Sequence, residues 1–420
     1  MYQKTSLSNG LRVMTATMPH TRSVTVGVFV GTGSRYESAE HSGVSHFIEH
    51  VCFKGTAMRP TAKEISEQIE GVGGVLNGGT DKELTIYWCK VPQTHFTTAV
   101  DVLADMICHS TFEPGELEKE RQVIIEEINM CLDSPQHSVD LLIDEVVWPE
   151  QAMGRDVAGT RDTVSRLSRD DMLAYMRQQY LANNAAVALA GNVSHQEALA
   201  VVEDALGGWE SGQRREWYAA DDHQLTARSR VEPRDTEQAH LCLAVRGLSL
   251  THKDRYALDL LNIVLGDGMS SRLFLEIRER RGLAYSIHSY ADHYLDTGAL
   301  TVYAGVHPEQ LSHCVEAVLK ELQKLKEDLA SEHELRKAKE YCKGRLLLRM
   351  EDTQSVVGWL GGQELLMGSV RSVEEVVSAL EAVSAGDICR VAEELFQSEK
   401  LSLAVVGPVE ESGLEPLLSL

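Results

Sequence analysis

The sequence predicts a mixed α/β fold built from two tandem copies of one unit. Three observations carry this: a length of 420 residues, an internal repeat at a shift of 216 residues, and short apolar strands alternating with amphipathic helical stretches in each half. A single hydrophobic core stops growing at about 250–300 residues, so a chain of this length divides.

The repeat is read by sliding the chain along itself. Leu84-Thr85-Ile86-Tyr87 falls on Leu300-Thr301-Val302-Tyr303, Pro92 on Pro308, and Val102-Leu103 on Val318-Leu319. Val187 to Gly191 falls on Leu403 to Gly407, and Ser168, Asp171 and Tyr180 fall on Ser384, Asp387 and Phe396. Near the start, Ser23 to Gly31 falls on Ala239 to Gly247. Helical stretches are expected at 62–73, 94–109 and 115–133 from their apolar periodicity. The polar run Glu210 to Asp222 reads as the connection between copies. The expected division is therefore 1–212, a linker at 213–222, and 223–420.

Composition narrows the function. Hydrophobic residues make up 43% and charged residues 25%, and no window approaches the roughly eighteen apolar residues of a membrane span. The first twenty residues alternate around Asn9-Gly10 like a hairpin, with neither the apolar core nor the cleavage site of a signal peptide. Eight cysteines occur without a C-x-x-C pair, which points to a reducing cytoplasm. A net charge of -23 argues against nucleic acid or an anionic membrane as partner, and suits neutral or basic peptides better.

His46-Phe47-Ile48-Glu49-His50 follows the turn-like Glu40-His41-Ser42-Gly43 and is expected to be helical. At about 100° per residue, histidines four apart lie roughly 40° from each other, so both imidazoles can reach one ion with Glu49 beside them. A catalytic zinc takes three protein ligands and leaves a position for water, whose proton a nearby carboxylate accepts. Helical histidines are also common as plain surface or core residues, so the motif needs context. The stretch 116–130 supplies it. Its inward stripe runs Leu117, Glu120, Ile124, Glu127 and Ile128, whereas Glu126 shares a side with Gln122 and Asn129. A carboxylate on a buried face is costly unless paired or coordinated, which selects Glu127 as third ligand. The repeat acts as an internal control: the shift of 216 carries His46, Glu49, His50 and Glu127 onto Asn262, Leu265, Gly266 and Lys343. The second copy is expected to lack the metal set.

The run Gly43 to Thr56 resembles the metal helix of the inverted-motif zinc peptidases, the family of pitrilysin, insulin-degrading enzyme and the mitochondrial processing peptidase β subunit. Glu118 to Glu127 resembles that family's third-ligand helix, with the ligand on Glu127 and a supporting carboxylate on Glu120. The spacing from His50 is one residue longer than usual, as if absorbed in Gly71-Val72-Gly73-Gly74. Arg278 to Tyr285 resembles the segment whose arginine and tyrosine bind substrate and stabilise the tetrahedral intermediate. Leu76-Asn77-Gly78-Gly79-Thr80 resembles the edge strand to which substrate backbone adds. Here Gly78 and Gly79 stand where relatives usually carry alanine and a larger residue.

The resemblance spans nearly the whole chain. It implies an α+β fold of two homologous domains, each a mostly antiparallel sheet with helices packed on it. It also implies one zinc ion per subunit and a homodimer that encloses a chamber for unfolded peptides or leader sequences, with Arg278 and Tyr285 acting in trans. A non-catalytic structural subunit, or the active half of a heterodimer, are the alternative expectations.

Overall fold

The computed structural model describes residues 2–221, 223–410 and 414–420. It contains two sheets. The first unit holds β1 (Gln3–Ser6), β2 (Arg12–Thr17), β3 (Ser23–Val30), β4 (Val75–Thr80), β5 (Thr85–Pro92) and β6 (Ala185–Gly191), in the order β1-β2-β6-β3-β5-β4. The second holds β7 (Arg228–Pro233), β8 (Ala239–Arg246), β9 (Ala284–His293), β10 (Gly298–Val306) and β11 (Ser402–Gly407), in the order β7-β11-β8-β10-β9. Apart from β1 the two orders are the same. In each, one pair is parallel, β2 with β6 and β7 with β11, and the others are antiparallel.

The first five α-helices are α1 (Val44–Cys52), α2 (Ala62–Glu70), α3 (Phe96–His109), α4 (Pro114–Asp133) and α5 (Pro135–Val147). Thr61 opens α2 with a capping box to Glu64, which satisfies two of the amides a helix start leaves unbonded. The 71–74 segment then turns the chain into β4, with Gly73 at φ 76°. None of the helices among the described residues is long and apolar enough to cross a membrane. All eight cysteines are free.

The shift of 216 aligns β2 with β7 and Arg169–Gln179 with Ala385–Leu395. It fails by one residue in the middle strands. Phe29 pairs with Ala186 and Ile86, whereas Ala244 pairs with Ser402 and Thr301. Ala186 and Ser402 are separated by the full shift, but Phe29 and Ala244 by one residue less. Side chains alternate faces along a strand, so a slip of one reverses them all. The residue-for-residue match of Ser23–Gly31 with Ala239–Gly247 therefore pairs residues that face opposite ways.

The compact units also interleave in sequence, unlike the expected halves. The first comprises Met1–Ile128, Asp156–Tyr218 and Leu347–Ser372; the second comprises Asn129–Arg155, Ala219–Leu346 and Val373–Leu420. The cause is a pair of helices at the same place in each repeat. Helix α5 lays Val139, Leu142, Ile143 and Val146 against Cys242, Ala244, Ala404 and Val406 of the second sheet. The Thr353–Met367 helix lays Val356, Val357 and Leu360 against Phe29, Ala186, Ala188 and Ala190 of the first. A Cβ on Gly361 would lie 2.2 Å from the Phe29 ring, so only glycine permits that approach.

The expected linker is not a free tether. Ala182 N–H donates to Glu210 O (2.8 Å), Asn183 Nδ2 to Gly212 O (2.9 Å), and the Arg35 guanidinium stacks 4.4 Å from the Trp217 ring centroid. Asp222, its last residue, lies outside the described residues.

Candidate metal centre

Helix α1 begins at Gly43, whose φ of 93° favours glycine and whose Cβ would meet Ala158 O at 2.5 Å. Its opening amides are capped from upstream: Gly43 N–H and Ser45 N–H donate to the two oxygens of Glu37, each at 2.8 Å. A buried carboxylate there also complements the positive end of the helix dipole. Phe47, Ile48 and Val51 anchor the helix in the core. That leaves His46, Glu49 and His50 together on the remaining face.

Helix α4 brings the second half of the cluster. Leu117, Ile124 and Ile128 are buried, and Glu120 and Glu127, two turns apart, project beside them. His46 Nε2 lies 3.8 Å from Glu127 Oε2, and His50 Nε2 lies 3.6 Å from the same oxygen. One ligand atom from each of His46, His50 and Glu127 falls within a 4.8 Å set. Zinc at bonds of about 2.0–2.1 Å in a tetrahedron places its ligands roughly 3.4 Å apart, so the donor set fits that ion. Among the described residues no other group of three such side chains gathers this way. The Glu127 side chain is 38% exposed, which leaves the cluster open to solvent. Glu126 is exposed.

Glu120 is 5% exposed and stands behind the cluster. Its Oε2 is 3.2 Å from His50 Nδ1, and its Oε1 accepts from Lys54 Nζ at 2.7 Å. A carboxylate only accepts, so His50 carries its proton on Nδ1 and keeps its Nε2 lone pair for an ion shared with Glu127. Burial alone would raise the Glu120 pKa, but the bonds from His50 and Lys54 outweigh it and hold the carboxyl below its ordinary range. Burial, helped by the neighbouring His50, pushes His46 down to about 4, so its imidazole is neutral near pH 7. Burial raises Glu49, opposed by the Thr80 hydrogen bond and by His50.

Glu49 is 8% exposed and reaches β4. Thr80 Oγ1 donates to Glu49 Oε2 at 2.9 Å, and a Cβ on Gly78 would lie 2.8 Å from Glu49 Oε1. Strand β4 pairs with β5 on one side and ends the sheet on the other. Asn77 is exposed, and a Cβ on Gly79 would meet only Ile86, at 3.8 Å.

Arg278 and Tyr285 belong to the second unit and touch each other. The Arg278 guanidinium lies 5.1 Å from the Tyr285 ring centroid and 4.8 Å from that of Phe274. Arg278 is in the π-helical turn Phe274–Arg280, a widened helix often found at functional sites. Tyr285 opens β9 and is 77% exposed, an unusual state for so large a ring.

Glu37, Lys54 and Thr80 escaped the sequence reading. Lys54, four residues beyond His50, was within reach of helical periodicity. Glu37 and Thr80 gave no such signal, because a turn and 31 residues separate them from what they contact.

Two family models match the chain: "Insulinase (Peptidase family M16)" over residues 12–161, and "Peptidase M16 inactive domain" over residues 166–342. The protein named uncharacterized zinc protease YmxG of Bacillus subtilis is 38% identical over 408 residues, covering 97% of this chain and 98% of its own. An uncharacterized zinc protease of Streptomyces coelicolor is 37% identical over 417 residues, covering 97% and 90%. Among solved structures, a protease from Helicobacter pylori superposes with a TM-score of 0.92 at 23% identity, covering 97% of this chain and 99% of that one. A chain of complex III2 from Candida albicans superposes at 0.85 with 20% identity, covering 100% of both. At those identities the structures speak for the fold alone.

Proposed function

This chain belongs to the insulinase family of peptidases, family M16, and on that premise we propose that it is a zinc metalloendopeptidase cutting unfolded peptides or leader sequences. The observation that carries the reading is the convergence of His46, His50 and Glu127 with Glu49 beside them. Zinc held by these three side chains would polarise the scissile carbonyl and acidify a water molecule. Glu49 is the general base: it takes the proton of the attacking water and returns it to the leaving amine. Glu120 fixes the His50 tautomer and, with Lys54, keeps a negative charge behind the ligand. The free edge of β4 at Asn77, Gly78 and Gly79 receives substrate backbone as an added strand. Gly79 admits bulky substrate side chains over that face, since nothing but Ile86 crowds it.

Arg278 and Tyr285 serve as donors to the developing oxyanion. They act in trans: two copies of the chain form a homodimer around a chamber, and each completes the zinc site of the other. The eight free cysteines support a cytoplasmic enzyme.

The test is cleavage of unstructured peptides of increasing length, with and without a chelator, beside Glu49→Gln. Chelator-sensitive, Glu49-dependent cleavage with an upper size limit is expected. A folded, zinc-loaded protein that cuts nothing would favour a structural subunit instead. Mixing Glu49→Gln with Tyr285→Phe chains should restore partial activity, and a mixture as inactive as both parents would end the trans arrangement.

A further inference from the structure

We infer that Thr80 is the positioning residue for the general base, so that the strand proposed to receive substrate also sets where Glu49 lies. This rests on the reading of Glu49 as base. The carboxylate is bonded to this strand at one oxygen and lies against it at the other. Oε2 accepts the Thr80 hydroxyl at 2.9 Å, and Oε1 lies over Gly78, close enough that a Cβ there would stand 2.8 Å away. Thr80 and Gly78 are alternate residues of β4 and therefore share its inner face. Asn77 and Gly79 face the other way. The inner face of β4 thus orients the base, while its open edge presents backbone groups to a substrate strand.

A glutamate has three side-chain torsions, and leaving them free spreads the carboxylate over several positions. The Thr80 hydroxyl selects one of them. It also fixes which oxygen is left to take a proton: Oε2 is committed to Thr80, and Oε1 is not bonded to it. Because the tether comes from β4, a peptide lying along that edge and the base that serves its scissile bond are referred to the same backbone. A misplacement of about 1 Å in such an arrangement costs on the order of a hundredfold in rate.

Thr80→Val keeps the shape and removes the hydroxyl, and Thr80→Ser keeps the hydroxyl. Expected for Thr80→Val is a fall in kcat of about tenfold to a hundredfold with KM within about twofold, the pattern of an interaction used in the chemical step. Zinc content should be unchanged, and Thr80→Ser should return kcat to near the parent value. A crystal structure of the zinc-loaded Thr80→Val protein should show the Glu49 carboxylate displaced from Gly78. Should the valine variant fail to fold, Thr80→Ala is read the same way. Wild-type kcat in a folded variant without the hydroxyl, or an unmoved Glu49 carboxylate in its crystal structure, would overturn the inference. A wild-type protein inactive on every peptide would instead refute the peptidase reading, and the crystallographic comparison would still decide whether Thr80 positions Glu49.

Discussion

Helix α1 of the first unit and the Arg255–Leu265 helix of the second occupy the same place in the repeat, each packed on the edge strand of its sheet. Both make a polar contact with that strand. In the first, Thr80 donates to the Glu49 carboxylate at 2.9 Å; in the second, Ser289 donates to the Asn262 side-chain oxygen at 2.6 Å. The two bonds are not equivalent, because Asn262 stands where the repeat places His46, and Leu265 where it places Glu49; a carboxylate tied to the edge strand belongs to the first copy. The Arg255–Leu265 helix contains no histidine, so no choice of register supplies the histidine pair there. The second unit instead displays Arg278 and the exposed Tyr285. One architecture is kept twice, and the proposed function divides its reactive groups between the copies.

Four experiments would break or sharpen that contrast. The largest effect is expected from Glu49→Gln, which should lower kcat by about 10²–10⁴ while zinc stays bound, because Glu49 is not a ligand. His50→Ala should lose both zinc and cleavage. Next, Arg278→Ala or Tyr285→Phe should lower kcat by about 10²–10³ without altering zinc content, since neither touches the ligand set. Zinc loss in Tyr285→Phe, seen by metal analysis, would break the division of roles. Third, Leu360→Ala and Leu142→Ala, at matching places on the two interleaved helices, should each cost about 2–5 kcal/mol in urea unfolding. A much smaller loss from either would show that its helix is not a true member of its unit.

The smallest effect is in pH. Metal-free protein keeps His46 neutral down to about 4, while the unfolded chain protonates it near 6.5. The unfolded state then binds more protons between those values, so stability falls as pH drops through that window. At pH 5 the loss is up to about 2 kcal/mol relative to pH 7, and His46→Gln should lack it in chelator-treated urea titrations. No equivalent slope is expected from the helix at 255–265.

Much of this was readable beforehand because it is local. The histidine pair and Glu49 lie within one helical turn and a half, and Glu127 declared itself by interrupting an apolar stripe. The N-terminal hairpin was legible from Asn9-Gly10, and Gly10 does take φ 84°. The one-residue slip of β3 against β8 was legible in the alternation: a shift of 215 lays Val24, Val26, Val28 and Val30 on Ala239, Leu241, Leu243 and Val245, whereas 216 lays them on His240, Cys242, Ala244 and Arg246. Interleaving of α5 and the Thr353–Met367 helix was hidden. Their apolar faces state that they must be covered, not by which sheet. The linker looked free because it is anchored through its own backbone carbonyls, at Gly212 and Arg215, by the Asn183 and Gln179 side-chain amides, and through the ring of Trp217, which composition does not report.

The most direct measurement of the central claim is zinc per chain, taken with peptide cleavage, for the purified protein and its Glu49→Gln and Glu127→Gln variants. One zinc per chain with cleavage is expected in the parent, one zinc without cleavage in Glu49→Gln, and loss of both in Glu127→Gln. Two zinc ions per chain, or full cleavage by Glu49→Gln, would contradict the assignment of the metal and the base to the first repeat alone.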